Sequence, residues 1–114
     1  MSDVNVLEKV NFEELKELNL ADNKISDIEV LEKVKFEKLE KLYLGGNNMS
    51  DINILENVNF KELTELNLHD NDISNIEVLE KVKFEKLEKL DLSGNEISDN
   101  NSTINKFKNI EIYI

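Results

Sequence analysis

The chain repeats itself every 24 residues, and that period restricts its fold more than any other feature. Ser2, Ser26, Ser50, Ser74 and Ser98 keep the spacing, as do Leu15, Leu39, Leu63 and Leu87, Asn23, Asn47, Asn71 and Asn95, and Phe12, Phe36, Phe60 and Phe84. Residues 25–44 and 73–92 are identical apart from Asp27 against Asn75 and Tyr43 against Asp91, so alternate units are near-copies. One such unit cannot fold alone. Its ordering cost, roughly 1.5 kcal/mol per residue, exceeds what its few apolar side chains return when buried. Units must therefore stack. The chain is expected to form a single domain over residues 1–114, counted in 24-residue units from Ser2, with an irregular C-terminal unit at 98–114.

Within a unit the apolar spacing changes partway. Leu18 and Leu20, two apart with polar neighbours, show the alternation of a short strand with one buried face. Ile28, Leu31 and Val34, at spacing three, form the inner stripe of a helical segment. Each unit thus reads strand, turn, helix. Ser26 with Glu29 and Ser74 with Glu77 match the capping box, in which hydroxyl and carboxylate satisfy the first amides of a helix. The Asn closing each strand has the chemistry to serve a buried turn, since its amide both donates to and accepts from main chain of its own and the next coil. A stacked Asn ladder and a column of Phe12, Phe36, Phe60 and Phe84 in the core are the expected result. The chain ends are less regular. Residues 2–12 are expected to supply an N-terminal cap, Asn100 to Thr103 put polar residues where earlier units have Ile-x-x-Leu, and Phe107 to Ile114 repeats the passage into a strand with one residue deleted.

The run L-x-x-L-x-L-x-x-N-x-[I/M], complete at Leu15, Leu18, Leu20, Asn23 and Ile25, resembles the leucine-rich-repeat family in all four units that carry it. The Ile-Ser-Asp-Ile and Leu-x-x-Val continuation is most similar to the short-repeat class of bacterial internalins and of a leucine-rich regulatory subunit of protein phosphatase 1. The unit here is longer than is usual for that class, with a Lys-Phe or Asn-Phe pair after Val34, Val58 and Val82. The resemblance implies an α/β fold: a right-handed leucine-rich-repeat solenoid, with a short parallel sheet on the concave side and helices on the convex side. It also implies a protein-binding role rather than catalysis.

Composition removes several classes of function. With 14 Lys+Arg against 25 Asp+Glu the formal net charge is -11, which repels nucleic acid and favours a protein partner with a basic surface. Cysteine is absent, which rules out thiolate metal sites and thiol nucleophiles. His69 is the lone histidine, and Gly45, Gly46 and Gly94 lack the following Lys-Ser/Thr of a phosphate loop. His69, Asp70, Asn71 and Asp72 could offer ligands to a cation, but Asn71 is committed to the ladder and the spacing lacks the later Glu of a calcium loop. No catalytic, cofactor-binding or metal-binding residue is therefore expected. The first residues carry no basic and apolar leader, and no stretch is long enough to span a membrane, so a cytoplasmic protein without membrane contact is expected.

Function is then expected on the sheet face opposite the core. With Leu18 and Leu20 inward, the neighbouring positions form outward columns: Glu17, Lys41, Glu65, Lys89 and Glu111; Asn19, Tyr43, Asn67, Asp91 and Tyr113; Ala21, Gly45, His69 and Ser93. The predicted protein-binding residues are Asn19, Lys41, Tyr43, Glu65, Asn67, His69, Lys89, Asp91 and Tyr113, with Tyr43 the aromatic anchor. The competing reading is a structural or consensus-like scaffold, or a fragment of a longer repeat protein, with no partner of its own. A monomer is favoured; the alternative is a homodimer through the C-terminal strand, whose Ile110, Ile112 and Ile114 present an apolar edge.

Overall fold

A computed structural model describes residues 13–34, 36–97, 101–107 and 109–114. The N-terminal cap expected at residues 2–12, with Phe12, lies outside the described residues, as do Ser98 and Asn100. Five three-residue strands, β1 (Glu17–Asn19), β2 (Lys41–Tyr43), β3 (Glu65–Asn67), β4 (Lys89–Asp91) and β5 (Glu111–Tyr113), form one parallel sheet in sequential order. The register is that of the repeat, with Leu18, Leu42, Leu66, Leu90 and Ile112 side by side. Main-chain bonds continue beyond the strands: Leu20 N–H donates to Tyr43 O (2.9 Å), Leu44 N–H to Asn67 O (2.8 Å) and Leu68 N–H to Asp91 O (2.8 Å). The stack measures 38 × 27 × 19 Å.

Opposite the sheet each of the first three complete units returns through a single 3₁₀ turn, at Glu29–Glu32, Asn53–Asn57 and Glu77–Glu80. The expected helices are thus one-turn elements closed by i to i+3 bonds, such as Leu31 N–H to Ile28 O at 3.0 Å. The apolar spacing explains the choice. Residues three apart eclipse one another in a 3₁₀ turn, so Ile28 and Leu31 share one inward line, and Val30 is buried beside them. The amides that the expected capping boxes assign to the Ser hydroxyls have another acceptor. The N–H groups of Glu29, Asn53 and Glu77 are taken by the residue after each Ser, through Asp27 Oδ1, Asp51 Oδ1 and Asn75 Oδ1, each at 2.9 Å. This is an Asx turn, which a 3₁₀ start admits where a full capping box requires α-helical geometry after it. It also explains why Asp27 and Asn75 interchange between near-identical units: either supplies the same acceptor.

The core runs the length of the stack as one apolar cluster. Within it Phe36 and Phe60 meet edge to face with centroids 5.9 Å apart, and Phe60 and Phe84 stack at 6.1 Å. The Asn ladder holds the buried turn. Asn47 Oδ1 accepts from Asn23 N–H (3.2 Å) and Ile25 N–H (3.1 Å) of the preceding coil, while its Nδ2 donates to Leu20 O (3.1 Å) and Leu44 O (2.9 Å). Asn71 and Asn95 repeat the pattern one and two coils on.

A two-coil alternation is superimposed on the 24-residue period. Asp22, Gly46, Asp70 and Gly94 occupy one column, all with left-handed φ of 58°, 69°, 52° and 71°. Asp22 lays its carboxylate where a Cβ on Gly46 would stand, and Asp70 does the same over Gly94. Charges alternate too. Lys38 pairs with Glu14 at 2.8 Å and Lys86 with Glu62 at 2.6 Å, each across one coil.

At the C-terminal end the 3₁₀ turn is replaced by a short α-helix, α1 (Asn101–Ile104). The polar segment read from the sequence as a cap is only partly solvent-facing: Thr103 is buried and donates from Oγ1 to Glu80 Oε2 at 2.7 Å. Lys106 Nζ lies 2.7 Å from Glu80 Oε1. Asn109 adopts φ 65° in the passage shortened by one residue, and β5 then joins the sheet in register.

Candidate protein-binding face

The strand register sets the predicted residues on one surface. Lys41, Glu65, Lys89 and Glu111 are consecutive partners, as are Asn19, Tyr43, Asn67, Asp91 and Tyr113. Asn19, Lys41 and Tyr113 are exposed, and Tyr43, Glu65, Asn67, His69, Lys89 and Asp91 half-buried. Most of these side chains are held in place rather than free to sweep. Asn19, Asn67 and Asp91 each turn an Oδ1 back on the amide two residues ahead, at Ala21 (2.9 Å), His69 (3.0 Å) and Ser93 (3.0 Å). Ser93 Oγ donates to the same Asp91 oxygen at 2.6 Å. Lys89 Nζ stands 5.5 Å from the centroid of the Tyr113 ring, a cation–π distance, and Tyr113 donates to Glu111 Oε2 at 3.3 Å.

Tyr43 has no amide or carboxylate oxygen to turn back in this way. Partial burial raises the pKa of its phenol above the ordinary value, reinforced by a hydrogen bond with the Glu65 carboxylate and by the charges of Glu65 and Glu17. The hydroxyl therefore stays protonated and a donor at neutral pH. Beside it, His69 lies with its ring over Gly45, in the place a Cβ on Gly45 would take, and its Nδ1 is 2.8 Å from Asp70 Oδ2.

Sequence reading left Asp22 out and weighed Asp70 only as a cation ligand, not as part of this face at the exit edge of the strands. The signal was present as the Asp, Gly, Asp, Gly column, but its meaning depends on the left-handed backbone that seats each carboxylate over a glycine. With them, Glu17, Asp22, Glu65, Asp70, Asp91 and Glu111 outnumber Lys41 and Lys89, and the face is acidic. At the strand entrances a groove of about 690 Å³ is bordered by Lys41, Glu65, Lys89 and Glu111. Its charged lining contrasts with the apolar walls of a typical small-molecule site. Among the described residues no group of three or more His, Asp or Glu side chains could hold a metal ion, and no helix is long and apolar enough to cross a membrane.

A run of leucine, asparagine and isoleucine in this register, wound into one parallel sheet, defines a leucine-rich-repeat solenoid. Residues 13–57, 37–81 and 61–112 match the family described as Leucine Rich repeats (2 copies). The chain belongs to that family. Among solved structures it resembles an internalin (inlF) of Listeria monocytogenes str. 4b F2365, with a TM-score of 0.70 and 23% identity over 99% of this chain and 38% of that one. It also resembles internalin C2 (inlC2) of the same strain, with a TM-score of 0.71 and 21% identity over 100% of this chain and 55% of that one. The chain thus spans less than two thirds of either neighbour. No curated protein matches it by sequence.

Proposed function

We propose that this chain is a non-catalytic binding module that recognises a protein with a basic surface through the concave sheet. One observation carries the reading. Over residues 25–44 and 73–92 the sequence is held constant except at an interchangeable turn acceptor and at the centre of the sheet, where Tyr43 faces the same side as Asp91. A scaffold with no partner gains nothing from placing a rigid aromatic there, whereas a recognition surface gains an anchor of large area and low entropy cost. Around it the excess of carboxylates would act mainly on association rate.

The test is a capture experiment with wild type and the Tyr43→Ala, Asn67→Ala double variant. A protein retained by wild type and lost with the variant, with capture slowed by added salt more than release is hastened, supports the reading. Retention of acidic partners alone, or equal retention by both proteins, overturns it. The second reading, a piece of a longer repeat protein, is favoured by the share of each internalin that the chain spans, 38% and 55%; a parent sequence that continues the register would support it. As to assembly, we hold the module to be monomeric. Tyr113 and Ile114, the exposed large apolar side chains among the described residues, are the place where a homodimer would form instead. Sedimentation over a concentration series decides, since association abolished by Ile112→Lys would replace the monomer with the dimer.

A further inference from the structure

The main chain at the end of β2 differs from its three counterparts. In coils one, three and four the amide two residues beyond the central strand position is taken by the side chain there, Asn19 for Ala21, Asn67 for His69 and Asp91 for Ser93. In coil two that position is Tyr43, which has no oxygen within reach of its own turn. Among the described residues nothing accepts from Gly45 N–H, although Gly45 is buried. By the repeat, this N–H is aimed at the place where an Asn at 43 would hold its amide oxygen, on the concave face. A buried donor without an acceptor is costly, and the other three coils show that one Asn or Asp would remove the cost. The half-buried His69 ring covers Gly45 and must move aside for an acceptor from outside to reach the amide. Gly45 and Gly46 carry no side chains, the His69 ring roofs one side, and Tyr43 and Asn67 flank the strand ends.

We infer that the Gly45 N–H is a docking point for a main-chain carbonyl of the bound partner, held between Tyr43 and His69. The inference deepens the binding-module reading and rests on it. The acceptor is a neutral carbonyl and not a carboxylate, because Glu17, Asp22, Glu65 and Asp70 lie around the point and would repel an anion. The partner segment therefore presents its backbone at Gly45 while its basic side chains reach those carboxylates. This gives the face a register: one fixed hydrogen bond that says where along the five strands the partner sits.

The experiment needs no identified partner. Amide signals of the 114-residue chain are followed by two-dimensional NMR for solvent exchange, and then during addition of N-methylacetamide, a free amide carbonyl, or of sodium acetate. Gly45 is expected to have at least about tenfold lower protection than Ala21, His69 and Ser93. Its proton is expected to move downfield with N-methylacetamide more than theirs do, and less with acetate. Tyr43→Asn, which copies coils one and three, should raise Gly45 protection at least about tenfold and abolish the response, while Tyr43→Phe should keep it. Protection of Gly45 in wild type, a Tyr43→Asn variant that still responds, or a stronger response to acetate overturns the inference. Failures of the two readings are distinguishable. A protected Gly45 removes the docking point and leaves the binding face, whereas equal capture by the Tyr43→Ala, Asn67→Ala variant removes the binding face with the amide response intact.

Discussion

At the scale of single residues, stability concentrates where one side chain closes several main-chain bonds. Asn71 accepts from Met49 N–H at 3.0 Å and donates to Leu44 O, Leu68 O and His69 O, each at 3.1 Å, inside a turn that is cut off from water. Each buried group left without a partner costs roughly 1–3 kcal/mol, so Asn71→Ala should lose about 3 kcal/mol in urea unfolding. Asn71→Asp should not rescue it, because a carboxylate facing three carbonyls restores the acceptor and removes the donors. A loss below about 1 kcal/mol would show that the ladder can be replaced by water. Gly46 tests a different cost. Its φ of 69° disfavours any Cβ by roughly 1–2 kcal/mol, and that Cβ would also displace the Asp22 carboxylate. Gly46→Ala should therefore melt lower than Gly45→Ala, whose Cβ meets a movable His69 ring. Adding Asp22→Gly should recover only the steric part; full recovery would mean that the backbone conformation is unstrained.

At the scale of elements, the coils are held from inside, and the last one is also fastened through Glu80. Leu66, at the middle of β3, is fully buried, so Leu66→Ala should cost about 2–5 kcal/mol, against little change for the exposed Ser50→Ala. Equal melts would reverse the assignment of faces. The helix α1 is joined to the preceding 3₁₀ turn through Glu80, whose pKa is lowered by hydrogen bonds from Lys106 and Thr103 against a smaller opposing effect of burial. A depressed carboxylate stabilises above its unfolded pKa and loses that contribution as pH falls through its folded one. Acid should thus loosen α1 below the ordinary carboxylate range, read as faster exchange of the Lys106 amide, which donates to Thr103 O at 3.1 Å. Glu80→Gln should flatten that dependence; parallel acid profiles would assign it to other groups. The strands, their register and the Asn ladder were legible in the sequence because each follows from side-chain periodicity alone. The 3₁₀ turns were half legible. Spacing three at Ile28 and Leu31 was seen, but buried Val30 was not, since an α-helical period places it elsewhere. The burial of Thr103 and the open amide at Gly45 were illegible, because both depend on which atoms of a neighbouring coil come within reach.

At the scale of the whole molecule, the net charge of -11 and the alternation along the stack act together. The excess of carboxylates makes like copies repel one another, while the ladder Glu14, Lys38, Glu62, Lys86 and the column Glu17, Lys41, Glu65, Lys89, Glu111 make neighbouring coils attract. Asp22, Gly46, Asp70 and Gly94 follow the same alternation in shape. Coils of this chain therefore come in two kinds, and the array has a parity. It can be lengthened by an even number of coils without fault, because every splice then sets unlike neighbours together. Repeating residues 25–72 after Asp72 should raise the melting temperature by more than twice the gain from repeating residues 25–48 after Asn48, which sets Lys38 beside a second lysine and Gly46 beside a second glycine. The charge part of that difference should shrink in high salt, and equal gain per coil would show the two kinds to be interchangeable. A natural array under this rule would grow by duplicating 48 residues at a time, so its unit of inheritance would be twice its unit of structure.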